Sequence, residues 1–201
     1  MINRKNPRKT LINARKKLLF GVLDRVGIKN LGLEGYTPDV SMFRTILLHT
    51  GLYRKTNVNG EELWSFAQPE ELVDEGLSLI WSEFKKFFTT EKKLVPFTSF
   101  FTELQSPPFG MRHGVIPILT AAAMRAFPST LTITDNNGNY LDDILPSTVE
   151  DICAKPEEYF ISVHSLDKTR IDFLRRIYEL FAPEKQISSK EMDLLRQCFD
   201  A

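Results

Sequence analysis

Apolar residues recur at helical spacing along most of the chain, interrupted by short alternating runs and by Asn-Gly, Pro-Pro and Gly punctuation. In 10–26, Leu11, Leu18 and Val22, with Ile12, Leu19, Leu23 and Val26, return every three or four residues, while Arg15, Lys16 and Arg25 take the other side. That spacing predicts a first helix ended by Gly27. Thr37-Pro38 opens a second over 37–49, a cap residue followed by Pro at the first helical position. Two short β-prone runs, 52–54 and 63–66, then flank Asn57-Val58-Asn59-Gly60 and predict a hairpin. A core helix over 70–88 follows, with Val73, Leu77, Ile80, Trp81, Phe84 and Phe88 on one stripe and Glu70, Glu71 and Asp74 in its first turn.

Residues 89–96 read as a connector, which divides the chain into units 1–90 and 97–201. The second unit repeats the grammar of the first. A short helix over 98–104 is capped by Thr98 and breaks at Ser106-Pro107-Pro108-Phe109-Gly110. A helix over 111–127 contains Pro117, which should shorten or kink it. A second wing is predicted from 131–134, a turn at 135–138, and Tyr140-Leu141, with 159–164 as a possible third strand. A small helix over 146–154 precedes that strand. Two more are predicted over 168–181, capped by Asp167, and over 188–199, opened by a Ser188/Glu191 capping box.

Helix, turn, helix and wing in each half is the winged-helix order. The expected fold class is therefore mostly α with small β-hairpins, an α+β chain of tandem winged-helix-like units. The predicted core is Leu19, Leu23, Ile46, Leu47, Trp64, Leu77, Ile80, Trp81 and Phe84 in the first half. In the second half it is Phe100, Leu104, Ile116, Leu119, Met124, Ile133, Leu174 and Phe181. The last helix is still running at residue 201 and the start is abruptly basic, so a piece of a longer protein is the expectation.

Composition narrows the class. With 201 residues, 42% hydrophobic and 26% charged, the chain can bury a real core and is not a disordered or fibrous one. Two cysteines build no disulfide framework, and 18–23 is too short an apolar run for a membrane span or a secretory core, so a cytoplasmic location is expected. The zero net charge conceals an asymmetry. Residues 1–23 carry seven bases (Arg4, Lys5, Arg8, Lys9, Arg15, Lys16 and Lys17) and no acid, leaving 19 of the 26 bases against all 26 acids. Three readings stay open for that arm: a contact to nucleic-acid backbone, a mitochondrial presequence, or a solvated helix face. On the first, changing Arg15, Lys16 and Lys17 to Ala should flatten the salt dependence of binding by up to about 3 while leaving Tm nearly unchanged.

Catalytic and metal-binding patterns are missing. No Gly-rich phosphate loop, nucleophile elbow or Cys/His ligand spacing occurs, so no cofactor, metal or catalytic residue is predicted. Asp135, Asn137 and Asn139 imitate the start of a calcium loop, but Tyr140 stands where its Gly should be and Pro146 where its closing Glu should be. Arg112 beside His113 is the least implausible centre for an enzyme, and no base, nucleophile and orienting group assemble around it.

The run Ser106-Pro107-Pro108-Phe109-Gly110-Met111-Arg112-His113-Gly114-Val115-Ile116-Pro117-Ile118-Leu119 resembles a Pro-aromatic-Gly-plus-apolar-helix module in the non-catalytic regions of large bacterial P-loop ATPases of phage defence, of the BREX type. Residues 31–38 are similar to another stretch of such proteins, and the resemblance covers about 31–165. The nucleotide-binding motifs of those ATPases have no counterpart here, so the resemblance implies an interaction module whose ATPase activity lies elsewhere. Its partner would be another protein or the remainder of a larger ATPase, with non-specific nucleic acid as a further contact and no membrane. The competing expectation is a stand-alone winged-helix DNA-binding regulator. Its reading helices would start at Pro38 and Met111, and both are apolar and poor in the Arg, Lys, Asn and Gln that meet base edges.

Overall fold

A computed structural model describes residues 9–58, 61–127, 130–164, 172 and 176. Helix α1 (Lys9–Asp24) turns its Ala14, Leu18, Leu19 and Val22 inward. The chain then reverses through a loop in which Asn30 and Leu31 take left-handed backbone (φ 54° and 55°), burying the Leu31 side chain completely. That conformation is strained for a branched side chain. Gly21 makes the packing possible, because a Cβ there would sit 3.3 Å from that of Leu31. α2 (Pro38–Phe43) continues through a wider π-type turn over Arg44–Leu48. Strands β1 (Tyr53–Val58) and β2 (Glu61–Phe66) form the expected antiparallel hairpin with longer arms than predicted, since Asn57 and Val58, read as turn, continue β1 opposite Glu62 and Glu61.

The third helix begins later than its pattern suggests. Pro69–Glu71 form a separate 3-10 turn, and α3 (Glu75–Thr89) starts at the cap Asp74, whose carboxylate accepts from the Leu77 amide at 2.7 Å. Val73 therefore precedes the helix and stands 98% exposed instead of joining the core stripe. The predicted connector is also corrected: Lys92–Pro96 are strand β3, paired antiparallel with β5 (Tyr159–His164). The pairing is bulged between Lys92 and Val95, and the Ser162 hydroxyl accepts the Leu94 amide at 2.9 Å. On its other side β5 pairs with β4 (Thr130–Asp135), giving the order β3-β5-β4. The predicted pairing of 131–134 with Tyr140-Leu141 is thus corrected, because the partner of β4 is β5. Tyr140 makes one isolated bridge, to Thr134.

α4 (Phe97–Gln105) is preceded by Pro96 and not by the expected Thr98 cap. α5 (Ile116–Ala126) starts at Pro117's first turn, so the proline shortens this helix without kinking it. From Ile116 to Ala123 every α5 residue is buried, and Ala121, Ala122 and Ala123 let neighbours approach closely. α1, α3, β2 and α6 (Pro146–Ala154) all pack on it. Residues from 1–90 and from 97–201 accordingly contribute to one continuous apolar cluster. Every predicted core residue within the described part is buried or packed against that cluster. Leu174, Phe181 and the two helices predicted over 168–181 and 188–199 lie outside the described residues, apart from Asp172 and Arg176, which are helical. The architecture is α+β: helices around α5, flanked by two small antiparallel sheets.

Candidate functional site

Lys9, Asn13, Lys16, Lys17 and Phe20 are separated by 4, 3, 1 and 3 residues, which places them on one face of α1 away from its buried stripe. That face overlooks the segment leading into α2, and two grooves lie between them. The first, about 410 Å³, is lined by Lys16, Lys17, Phe20, Arg25, Leu33, Asp39 and Pro146. The second, about 310 Å³, is lined by Lys9, Thr10, Asn13, Ala14, Lys17, Thr37, Pro38 and Asp39. They meet at Lys17 and Asp39.

Four of the arm's seven bases, Lys9, Arg15, Lys16 and Lys17, are among the described residues. Arg4, Lys5 and Arg8 lie outside the described residues. Lys9, Lys16 and Lys17 are exposed along the grooves. Arg15 is elsewhere: its guanidinium forms a two-pronged ion pair with Glu150 of α6, Nε donating to Oε1 at 2.6 Å and the second nitrogen to Oε2. Both side chains are about 15% exposed (14% and 15%), so this bond locks α1 to α6 and leaves Arg15 unavailable to phosphate. The expectation that Arg15, Lys16 and Lys17 can be removed together without loss of stability therefore gives way. An acid 135 residues away, on another helix, opposes a base that has none nearby in sequence.

Three residues that the linear pattern did not single out complete the surface. Phe20 is 45% exposed, with the Arg25 guanidinium 5.2 Å above its ring. Arg25 lies against Gly32, where a Cβ would come within 3.1 Å of its guanidinium; the residue's φ of +67° also favours glycine. Tyr36, 93% exposed on the loop whose ends line the grooves, carries Arg44 5.5 Å over its ring. Asp39 is the third. It is 7% exposed, lines both grooves, and has no side-chain hydrogen bond or ion pair. The 9, 13, 16, 17, 20 spacing was a readable signal for Phe20; nothing local marks Asp39.

Other candidate chemistry has structural employment. The Asp135 carboxylate accepts the Asn139 side-chain amide at 2.8 Å and the Asn139 and Asn137 backbone amides at 2.9 and 2.8 Å. These bonds, the Asn139 side chain first, hold its pKa below the usual carboxylate value and explain the calcium-like spacing as a self-capped turn. Burial, reinforced by Glu150, pushes the Cys153 thiol well up, so it stays protonated in the core. His49, His113 and His164 are exposed, and among the described residues no three His, Cys, Asp or Glu gather as a metal site. No described helix is long and apolar enough to cross a membrane.

No protein-family model, curated protein or solved structure matches this chain.

Proposed function

We propose that the chain is a non-catalytic interaction module, serving a larger bacterial defence-type ATPase, that contacts nucleic-acid backbone or a protein partner in the cytoplasm through the outer face of α1. The observation that carries it is the file of Lys9, Lys16 and Lys17 along open grooves, with Arg25 at one end. Unpaired cations on a concave surface attract phosphate without any need for base contacts. The helix, turn, helix and wing order of each half keeps the tandem winged-helix-like description within this proposal. The stand-alone regulator is the weaker reading. A reading helix must present side chains to a major groove, whereas α5 is enclosed on all sides from Ile116 to Ala123 and α2 buries Asp39, Val40, Met42 and Phe43.

Titrating a labelled duplex at several salt concentrations tests the proposal. Each phosphate neutralised contributes about −0.9 to the log–log slope, so Lys16→Ala with Lys17→Ala should flatten it by up to about 2. Stability should change by less than ~0.5 kcal/mol, since both side chains are exposed. A folded protein that leaves nucleic acid unbound at ~50 mM salt would remove the nucleic-acid contact and leave protein partners.

A further inference from the structure

We infer that the paired grooves along α1 bind single-stranded nucleic acid and that Asp39 reads an unpaired guanine there; the inference rests on the nucleic-acid contact proposed above and names its substrate. The starting point is an imbalance. Asp39 is more than nine-tenths buried and has no partner, yet it lines both grooves among cations. Its carboxylate accepts from no protein donor, and a ligand that supplies donors from within the grooves gains bonds that the protein itself leaves unmade. Phosphate cannot do so, because phosphate oxygens only accept.

Guanine can. An ionised carboxylate is a pure acceptor with two oxygens, and the pairing edge of guanine offers two neighbouring N–H donors, N1–H and N2–H. Adenine and cytosine bring a single amino group to that edge. Thymine and uracil bring one N–H between two carbonyls, which a carboxylate repels. In a duplex the guanine donors are already engaged by cytosine, so only an unpaired base can meet Asp39.

The rest of the surface fits a strand with its bases turned out. Exposed rings next to cations are the working parts of single-strand sites, where bases stack on the ring and the backbone follows the charge. Phe20 with Arg25 stands in the same groove as Asp39, and Tyr36 with Arg44 on the loop bordering it. Lys16 and Lys17 flank the acid on the α1 side. At about 410 and 310 Å³ the grooves match the lower end of the ~300–1,000 Å³ typical of small-ligand sites, room for individual bases.

The test is fluorescence anisotropy on the full chain. The probes are a thymine-only strand, the same strand with one central guanine, its annealed duplex, and the uridine counterparts of the two single strands. Asp39 should favour the guanine strand over the thymine strand and the duplex by about 5- to 100-fold. Asp39→Asn keeps the shape but turns one acceptor into a donor. It should erase the guanine preference while leaving the thymine strand bound as well or better, because a negative charge is gone. Phe20→Ala should weaken both single strands by at least about 5-fold and the duplex hardly at all.

The preference on either deoxyribose or ribose strands supports the inference, and its absence from both overturns it. An Asp39→Asn effect equal for guanine and thymine strands also overturns it, making Asp39 only a background charge or the seat of a partner's cation. Single strands no tighter than duplex would refute this inference and leave the backbone contact standing. No binding to any probe by a protein with an unchanged circular-dichroism spectrum would refute both.

Discussion

Trp81 on α3 and Phe20 on α1 are both large rings on amphipathic helices, yet one is fully buried and the other 45% exposed. Around Trp81 the surroundings are closed: its ring lies 5.7 Å from Phe84 and 4.9 Å from Phe127, and its Nε1 donates to the Ala67 carbonyl at 2.9 Å. Beyond it Phe84 meets Phe100 edge-on at 5.1 Å, and Phe87 stacks on Phe100 at 4.0 Å. At the α1–α2 end, by contrast, the rings of Phe20 and Tyr36 face cations and solvent, and a buried carboxylate has no partner. The first region is held by contacts among its own rings, whereas the second leaves two rings and a carboxylate without a protein partner of that kind.

That contrast can be broken most severely at Trp81. Trp81→Ala removes a fully buried ring and strands the Ala67 carbonyl, so it should destabilise the protein by about 3–5 kcal/mol in urea unfolding. A loss below ~1 kcal/mol would mean that the aromatic cluster is not what holds the helices around α5.

The next effect separates two neighbours on one helix. Arg15→Ala leaves Glu150 as an uncompensated, largely enclosed charge. It should lower stability by about 2–3 kcal/mol, somewhat less than the ~3–5 kcal/mol of a fully buried pair because the edge of this pair still meets water. Adding Glu150→Ala should restore part of the loss, a coupling that a double-mutant cycle reads directly. Arg15→Ala as harmless as Lys16→Ala would show that the pair contributes nothing, and the two faces of α1 would no longer differ in role.

The smallest effect concerns Tyr53, which joins the first hairpin to the loop after α1. Its hydroxyl donates to the Ile28 carbonyl at 2.8 Å and accepts the Gly27 amide at 3.2 Å. Tyr53→Phe should therefore cost about 1–2 kcal/mol near neutral pH. Burial raises the phenol from 10.0 to about 12, against a smaller opposing effect of the Gly27 hydrogen bond. Between those values the unfolded chain gives up the proton and the folded one retains it. The tyrosine's contribution is thus fully present below pH ~10 and lost as pH rises towards ~12. Denaturant midpoints measured across that range should fall more steeply for the wild type than for Tyr53→Phe. Parallel curves would place the phenol in contact with water, loosening the loop that borders the grooves.

Much of the fold was legible because it depends on neighbours in sequence. The stripe Leu18, Leu19, Val22 specifies α1, the two β-prone runs of the first hairpin pair as their sequence predicts, and Pro146 starts α6 where its position predicts. Local rules also explain the errors at element ends: Asp74 outcompetes the acids before it as a cap, and Pro117 is tolerated only in a first turn. The exposed lysines of the candidate surface were readable from an acid-free run of charge. Whether each base was free was not.

What only the tertiary structure decided is every relation between distant segments. Lys92–Pro96 carry no strand signal strong enough to outweigh their charges, and become a strand because β5 offers an edge, with Leu94 bonded to Ser162 68 positions on. Arg15 finds Glu150 only once α1 and α6 pack together. Asp39 and Lys17 line the same grooves because the loop after α1 reverses at Asn30 and Leu31 and delivers α2 alongside. Periodicity and caps act through a few consecutive residues, so the sequence by itself determines elements. Which partner meets a given charge or edge depends on how those elements pack, and that is where this protein's candidate chemistry is assembled.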